Sequence, residues 1–300
     1  MKWPTEVTVK EVGPRDGLQN EATFLATEDK IAWINQISQT GIRHVEITSF
    51  VNPKWIPALA DASDVAQGIQ RVPGVVYSAL VPNRQGLERA LAVHVDEVAV
   101  FLSASETHNR KNSNKTIEET FPVLRDVAQT ALAANKQVRG YVSTVFGCPY
   151  EGKIAADSVI RVADELFDMG IGELSLGDTI GVANPAQVQR MLELLLKRYP
   201  ADKLAMHFHD TRGTAMANIL ASLDMGIRTF DASLGGMGGC PYAVGASGNV
   251  ATEDVHYMLE GMGIRTGIDA ERLLEAARYI QRKMNRSLAS HALQACSQTD

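Results

Sequence analysis

Two imidazoles, His207 and His209, sit two residues apart in a β-rich run. Side chains in a strand alternate between faces, so both rings project the same way and can chelate one divalent cation. The plainer reading is a pair of polar strand residues, and His-x-His alone does not decide. Other stretches add compatible donors. Arg15 and Asp16 lie between Pro14 and Gly17, in a sequence that favours a tight turn. Glu46 falls in a second strand, where a carboxylate is costly to bury unless it meets a cation or metal. Asp178 and Asn249 supply a further acid and a neutral amide oxygen, although each also has the chemistry of a helix N-cap. Asp210 directly follows His209 and can orient a ligand from behind. Cys240 stands between two glycine-rich stretches, 235–239 and 245–249. A thiol on a mobile polar loop is better placed for reaction than a core cysteine. Two imidazoles, a carboxylate and an amide oxygen form a mixed N/O set. With water completing an octahedron, such a set suits Mg2+ or Mn2+ better than thiolate-rich zinc chemistry.

These residues are far apart in the chain, so the elements between them must bring them together. Short β-rich runs recur at Thr8–Gly13, His44–Phe50, Val75–Val81, Glu97–Ser103, Val138–Thr144, Glu173–Asp178, Leu204–Asp210 and Arg228–Ser233. Amphipathic helical stretches lie between them, among them Thr27–Thr40, Thr116–Asn135, Ala155–Met169 and one opened by Pro185. Gly41, Gly170 and Gly226 stand where a left-handed residue would close a helix before the next strand. Eight alternating βα units imply a parallel sheet closed into a (β/α)8 TIM barrel, whose chemistry sits at the C-terminal strand ends. An open doubly wound sheet is the alternative, but Gly13–Gly17 is no G-x-G-x-x-G nucleotide loop. One domain, 1–300, accounts for the pattern, with the barrel over about 5–265 and a helical extension over about 266–300. That extension carries one or two helices from Asp269, with Leu273, Leu274, Ala277, Tyr279 and Ile280 apolar.

Composition narrows the function classes. The 300 residues carry a net charge of −6, with 45% hydrophobic and 21% charged side chains. That balance belongs to a globular protein with a substantial core, not to a disordered chain. The acidic excess disfavours a general nucleic-acid binder. Three cysteines are too few for a disulfide scaffold. Lys2, Glu6, Lys10 and Glu11 interrupt any signal-peptide core. No apolar run approaches the ~20 residues that span a bilayer. A reducing, cytoplasmic location is expected, with no membrane partner. The N-x-S/T sequons at Asn114 and Asn285 are then chance matches.

Several stretches together carry a family resemblance: 11–20, Glu46 with Ser49-Phe50, Pro53-Lys54-Trp55, Gly147–Tyr150, Ser175–Gly181, His207–Asp210, Gly238–Tyr242 and Gly245–Asn249. In these the chain resembles the 3-hydroxy-3-methylglutaryl-CoA lyase family, metal-dependent barrels that share an Arg-Asp pair after the first strand. The resemblance implies cleavage of that acyl-CoA thioester to acetyl-CoA and acetoacetate in a retro-Claisen sense. It implies Asp16, His207, His209 and Asn249 as metal ligands, and Arg15 as the cation that stabilises the enolate. Cys240 would be the catalytic acid, and Glu46 and Asp178 active-site acids. Gln19, Ser49 and Ser175, with Arg15, would contact substrate. The phosphates of coenzyme A need cations, and the loop after the fourth strand offers Arg110, Lys111 and Lys115 at the same rim, although each alone reads first as part of a solvated charged loop. The family implies a homodimer. Three departures, at Ala22, Arg212 and Leu234–Met237, touch the substrate's surroundings. They leave room for a related citramalyl-CoA or longer-chain 3-hydroxyglutaryl-CoA lyase. A condensing acyltransferase of the same superfamily usually carries a different loop where Cys240 stands, and a non-catalytic metal-binding barrel would not need this set of reactive residues.

Overall fold

The structure, a computed structural model, describes residues 3–21, 23–239 and 248–296. Eight parallel strands close into one barrel: β1 (Thr8–Glu11), β2 (His44–Ser49), β3 (Val76–Leu80), β4 (Glu97–Ser103), β5 (Gln137–Ser143), β6 (Glu173–Asp178), β7 (Leu204–Phe208) and β8 (Thr229–Ala232). β8 pairs back onto β1 in register Thr8↔Thr229 to Glu11↔Ala232. The expected runs Glu97–Ser103 and Glu173–Asp178 coincide with β4 and β6. The run expected over Leu204–Asp210 ends at Phe208, because His209 leaves the sheet to bridge Asn249.

The helices follow from local chemistry. Thr27–Ser38, Ile117–Ala133, Ala156–Asp168 and Pro185–Leu195 occupy the expected stretches. Thr116 and Asn184 each close a reciprocal capping box with the residue three positions on. Gly41, Gly170 and Gly226 hold φ of 93°, 95° and 87°, the left-handed values that end a helix before the next strand. One expectation is corrected: the segment after β4 is a helix, Glu106–Ser113, and not a loop. Ser105 accepts from His108 N at its start, and Asn114 closes it in the left-handed conformation. Asn285 closes the helix Ala270–Met284 in the same way, so both sequon asparagines serve as helix terminators. That helix is capped by Asp269 and packs on Thr27–Ser38; a final helix, His291–Cys296, follows. Among the described residues no helix is long and apolar enough to cross a membrane.

Burial divides the barrel into two regions. Outward strand residues such as Val98, Val100, Leu102, Val142, Leu174, Leu176, Met206 and Phe208 join the helices in the main hydrophobic core. The inside of the barrel departs from the branched aliphatic filling common in this fold. Among the described residues a small apolar group, Leu80, Ala99 and Tyr141 with Phe101 against it, lies apart from the main core. The rest is a ladder of ion pairs. Lys10 Nζ meets Glu173 at 2.8 Å, and Arg139 Nε meets the same oxygen at 2.6 Å. Arg139 Nη2 then reaches Asp231 Oδ1 at 2.7 Å. The period-two alternation of strands puts these residues inside while their neighbours face the helices.

Candidate active site

The C-terminal mouth of the barrel collects the residues singled out by their chemistry. His207 is the next-to-last residue of β7 and His209 is the first residue beyond the strand. Asp16 comes from a single π-helical turn, Gly13–Gly17, in which Asp16 N and Gly17 N both reach Val12 O, at 2.7 and 3.3 Å. This wide turn replaces the expected β-turn, and such turns recur at functional sites because they re-aim side chains. His207 Nε2 and His209 Nε2 each lie 3.8 Å from Asp16 Oδ2. Each gap is too long for a hydrogen bond. The donor atoms of all three residues lie within 4.8 Å of one another. One oxygen-binding cation with ~2.1 Å bonds holds its ligand atoms at such separations. The three side chains therefore fit a divalent cation on the chemistry and spacing of their donors. His209 Nδ1 is buried and, among the described residues, unpartnered.

Asn249 reaches this cluster from a strap clipped to the sheet. Val250 N bonds to Phe208 O at 3.0 Å, Asp210 N to Gly248 O at 2.8 Å and Ser233 N to Val250 O at 3.0 Å. The expected N-cap role is absent, since the helix Thr252–Gly261 has Ala251 at that position. The amide nitrogen of Asn249 faces Asp16 Oδ2 at 2.8 Å and Met237 O at 3.1 Å. Its expected oxygen ligand is thus turned away from the carboxylate in this arrangement.

Arg15 forms the second half of the mouth. Its Nε donates to Glu46 Oε2 at 2.6 Å and its Nη1 to Asp16 Oδ1. Burial works against the charge on Arg15, but Glu46 and Asp16 raise its pKa above the ordinary guanidinium value. Burial pushes Asp16 up, yet Arg15 and the two histidines hold its carboxyl well below the usual range. For Glu46 burial outweighs Arg15, and its pKa is raised. Tyr141 OH, which accepts from Arg139 Nη1 at 2.5 Å, donates to Glu46 Oε2 at 3.3 Å.

Other expected residues sit in different places. Gln19 and Lys111 line the mouth cavity of ≈ 410 Å³ together with Arg15, Asp16, His207 and His209. Lys115 borders a neighbouring cavity, and exposed Arg110 pairs with Glu106. Ser49 is buried and accepts from Val51 N at 3.3 Å; it does not line the cavity. Ser175 is buried inside the barrel and donates to Asp231 Oδ2 at 2.8 Å, away from the expected substrate contact. Asp178 accepts from Val182 N and Ala183 N, both at 2.9 Å, and clamps the loop after β6. Asp210 accepts from Ala215 N at 2.9 Å, at the start of a helix. Cys240 lies outside the described residues.

The sequence reading missed Tyr141, Arg139 and Asp231, all from strands. Each obeys the inward period-two pattern, and that pattern, applied to charged residues, is the signal that finds them. Glu11 and Glu253 were missed as well. Glu11 accepts from Gly13 N at 2.8 Å, Leu234 N at 3.0 Å and Thr252 Oγ1 at 2.6 Å. Glu253 accepts from Gly235 N through both oxygens at 2.9 Å. Together they tie the Arg15 turn to the root of the glycine-rich segment. Burial pushes Glu11 up to about 7 and Glu253 up to about 8, despite these hydrogen bonds. The far end of the segment returns against its start. A methyl group at Gly248 would lie 2.0 Å from Gly238 O, so only glycine fits there.

Known proteins share this architecture and sequence. The HMGL-like family model matches residues 6–280. The hydroxymethylglutaryl-CoA lyase YngG of Bacillus subtilis is 60% identical over 294 residues, covering 98% of both chains. A crystal structure of the B. subtilis HMG-CoA lyase superposes with a TM-score of 0.98, at 60% identity, covering 99% of this chain and 100% of that one. The mitochondrial hydroxymethylglutaryl-CoA lyase of Mus musculus is 50% identical over 97% of this chain and 90% of its own. An HMG-CoA lyase from Acinetobacter baumannii, solved with coenzyme A and 3-methylmalate, aligns at 40% identity with a TM-score of 0.94 over 98% of this chain and 96% of that one.

Proposed function

The chain belongs to the HMGL-like family, and on that premise we propose that its barrel mouth cleaves 3-hydroxy-3-methylglutaryl-CoA to acetyl-CoA and acetoacetate. It is a carbon–carbon lyase. The observation that carries the chemistry is the convergence of Asp16, His207 and His209 beside Arg15 at one cavity.

Asp16, His207 and His209 would hold a divalent cation, Mg2+ or Mn2+, with the amide oxygen of Asn249 as a further donor. Such an ion, when bound, acidifies and orients a hydroxyl oxygen of the substrate. The chain's own groups do the rest. The 3-hydroxyl gives up its proton to the Asp16–histidine cluster as the C2–C3 bond breaks. The electron pair of that bond moves onto the thioester, forming the acetyl-CoA enolate, and the hydroxyl carbon becomes the ketone of acetoacetate. Arg15, fixed by Glu46 and Asp16, presents its remaining N–H donors to the enolate oxygen. A proton returned to C2, assigned to the Cys240 thiol, completes acetyl-CoA. Asp178 is a positioning residue in this scheme, because both its oxygens hold loop backbone. Lys111 on the cavity wall is placed for a coenzyme A phosphate. The resemblance carries the further proposal of a homodimer.

The test is a coupled assay for acetyl-CoA across several thioesters. Release is expected from 3-hydroxy-3-methylglutaryl-CoA, lost with chelator and restored by Mg2+ or Mn2+. Preferential release from citramalyl-CoA or a longer-chain 3-hydroxyglutaryl-CoA would reassign the acyl group. Turnover indifferent to chelation would remove the cation from the scheme.

A further inference from the structure

Beyond the residues that face the cavity, we propose that Asp231 is a positioning residue that sets the tautomer of His207 and thereby the cation affinity of the mouth. The inference rests on reading Asp16, His207 and His209 as a cation site. Asp231 is buried on β8, and its Oδ2 stands 3.3 Å from His207 Nδ1. The carboxylate cannot rotate freely. Arg139 grips it with Nη2 on Oδ1 at 2.7 Å and Nη1 on Oδ2 at 3.3 Å, and Ser175 Oγ donates to Oδ2 at 2.8 Å. Two guanidinium N–H donors and a hydroxyl are thus aimed at this carboxylate, which fixes it as an acceptor. An ionised carboxylate only accepts hydrogen bonds. In a neutral His207 ring the proton therefore belongs on Nδ1, and the lone pair belongs on Nε2, which faces Asp16 at 3.8 Å.

His209 provides an internal comparison. Its Nε2 stands at the same 3.8 Å from Asp16 Oδ2, but its buried Nδ1 has no partner among the described residues. One ring of the pair is preset for a cation and the other is not. The outer partner of a ligating histidine typically carries 10–100-fold of metal affinity. Asp231 matches that description without lining the cavity.

Two measurements test the proposal on the full chain after chelator treatment. In the wild type, 15N chemical shifts at alkaline pH should show His207 as the Nδ1–H tautomer and His209 as a mixture. A predominantly Nε2–H His207 would overturn the assignment, whatever the cation does. Mn2+ binding, followed by electron paramagnetic resonance, should weaken roughly 10–100-fold in Asp231→Asn. The new amide would donate to Nδ1 and drive the proton onto Nε2. Ser175→Ala, which removes only a supporting hydroxyl, should bind Mn2+ within about threefold of wild type. Wild-type Mn2+ affinity in a folded Asp231→Asn chain overturns the proposal. Failure of the wild type itself to bind Mn2+ would instead sink the cation reading on which it rests.

Discussion

Replacing Arg15 by Met should lower kcat for thioester cleavage by about 10²–10³ while KM moves little. The guanidinium meets charge that develops on the thioester oxygen only as the bond breaks, so its loss weakens the transition state more than the ground state. Methionine keeps most of the side-chain volume, which isolates the charge. The substitution also strips Glu46 of its ion-pair partner among the described residues and Asp16 of the cation beside it. Asp16 would then titrate nearer the ordinary range, since Arg15 is the strongest of the groups that depress it. Steady-state kinetics at saturating cation decide the matter. A loss confined to KM would place Arg15 in ground-state binding and take the enolate role from it.

Replacing Arg139 by Met should cost the largest share of stability. Arg139 is 2% exposed and donates to four oxygens on three side chains inside the barrel: one on Glu173, one on Tyr141 and both on Asp231. Glu173 would keep Lys10, but Asp231 would retain only His207 and Ser175. Breaking a buried pair by removing one partner typically costs about 3–5 kcal/mol, because a charge is left behind without compensation. For a chain of this size that is a fall in Tm of roughly 5–8 °C. Arg139→Lys should recover only part of it, since an ammonium cannot reproduce the two-pronged grip on Asp231. Thermal unfolding followed by circular dichroism reads both variants. A shift below about 2 °C for Arg139→Met would mean that water or relaxation replaces the lost cation.

The barrel was legible in the sequence because its signals are local. Alternating strand runs such as Glu97–Ser103, the Pro185 opening and the glycines at 41, 170 and 226 each report their own conformation. The mouth residues were legible because Asp16, His207 and His209 have types that rarely gather without a purpose. What stayed hidden depends on partners distant in sequence. Asp231 reads as an ordinary strand acid until Arg139, 92 positions away, is seen to hold it. Ser175 and Asp178 lie within one matching stretch, and Asp178 ends the sixth strand at the rim, but neither fact tells what each side chain bonds to. In the fold, one points into the barrel interior and the other grips backbone. The helix Glu106–Ser113 hid behind a polar, weakly helical sequence, and its caps at Ser105 and Asn114 define it better than any apolar stripe.

The paired acids beneath the glycine-rich segment have a consequence for how the chain responds to its solvent. In an unfolded chain both glutamates ionise near pH 4.3. In the native barrel Glu11 keeps its proton to about 7 and Glu253 to about 8. Both folded values are raised, so what these groups contribute to stability declines as pH climbs from about 4.5 to 8. His44, pushed by burial from 6.5 down to about 4, opposes this between its own two values, but near pH 7 an unfolded histidine has already shed most of its proton. Refolding at neutrality therefore draws protons from the medium, roughly one per chain from these two sites. A pH-stat that compares the wild type with a chain carrying Glu11→Gln and Glu253→Gln should register that uptake as the difference between the two.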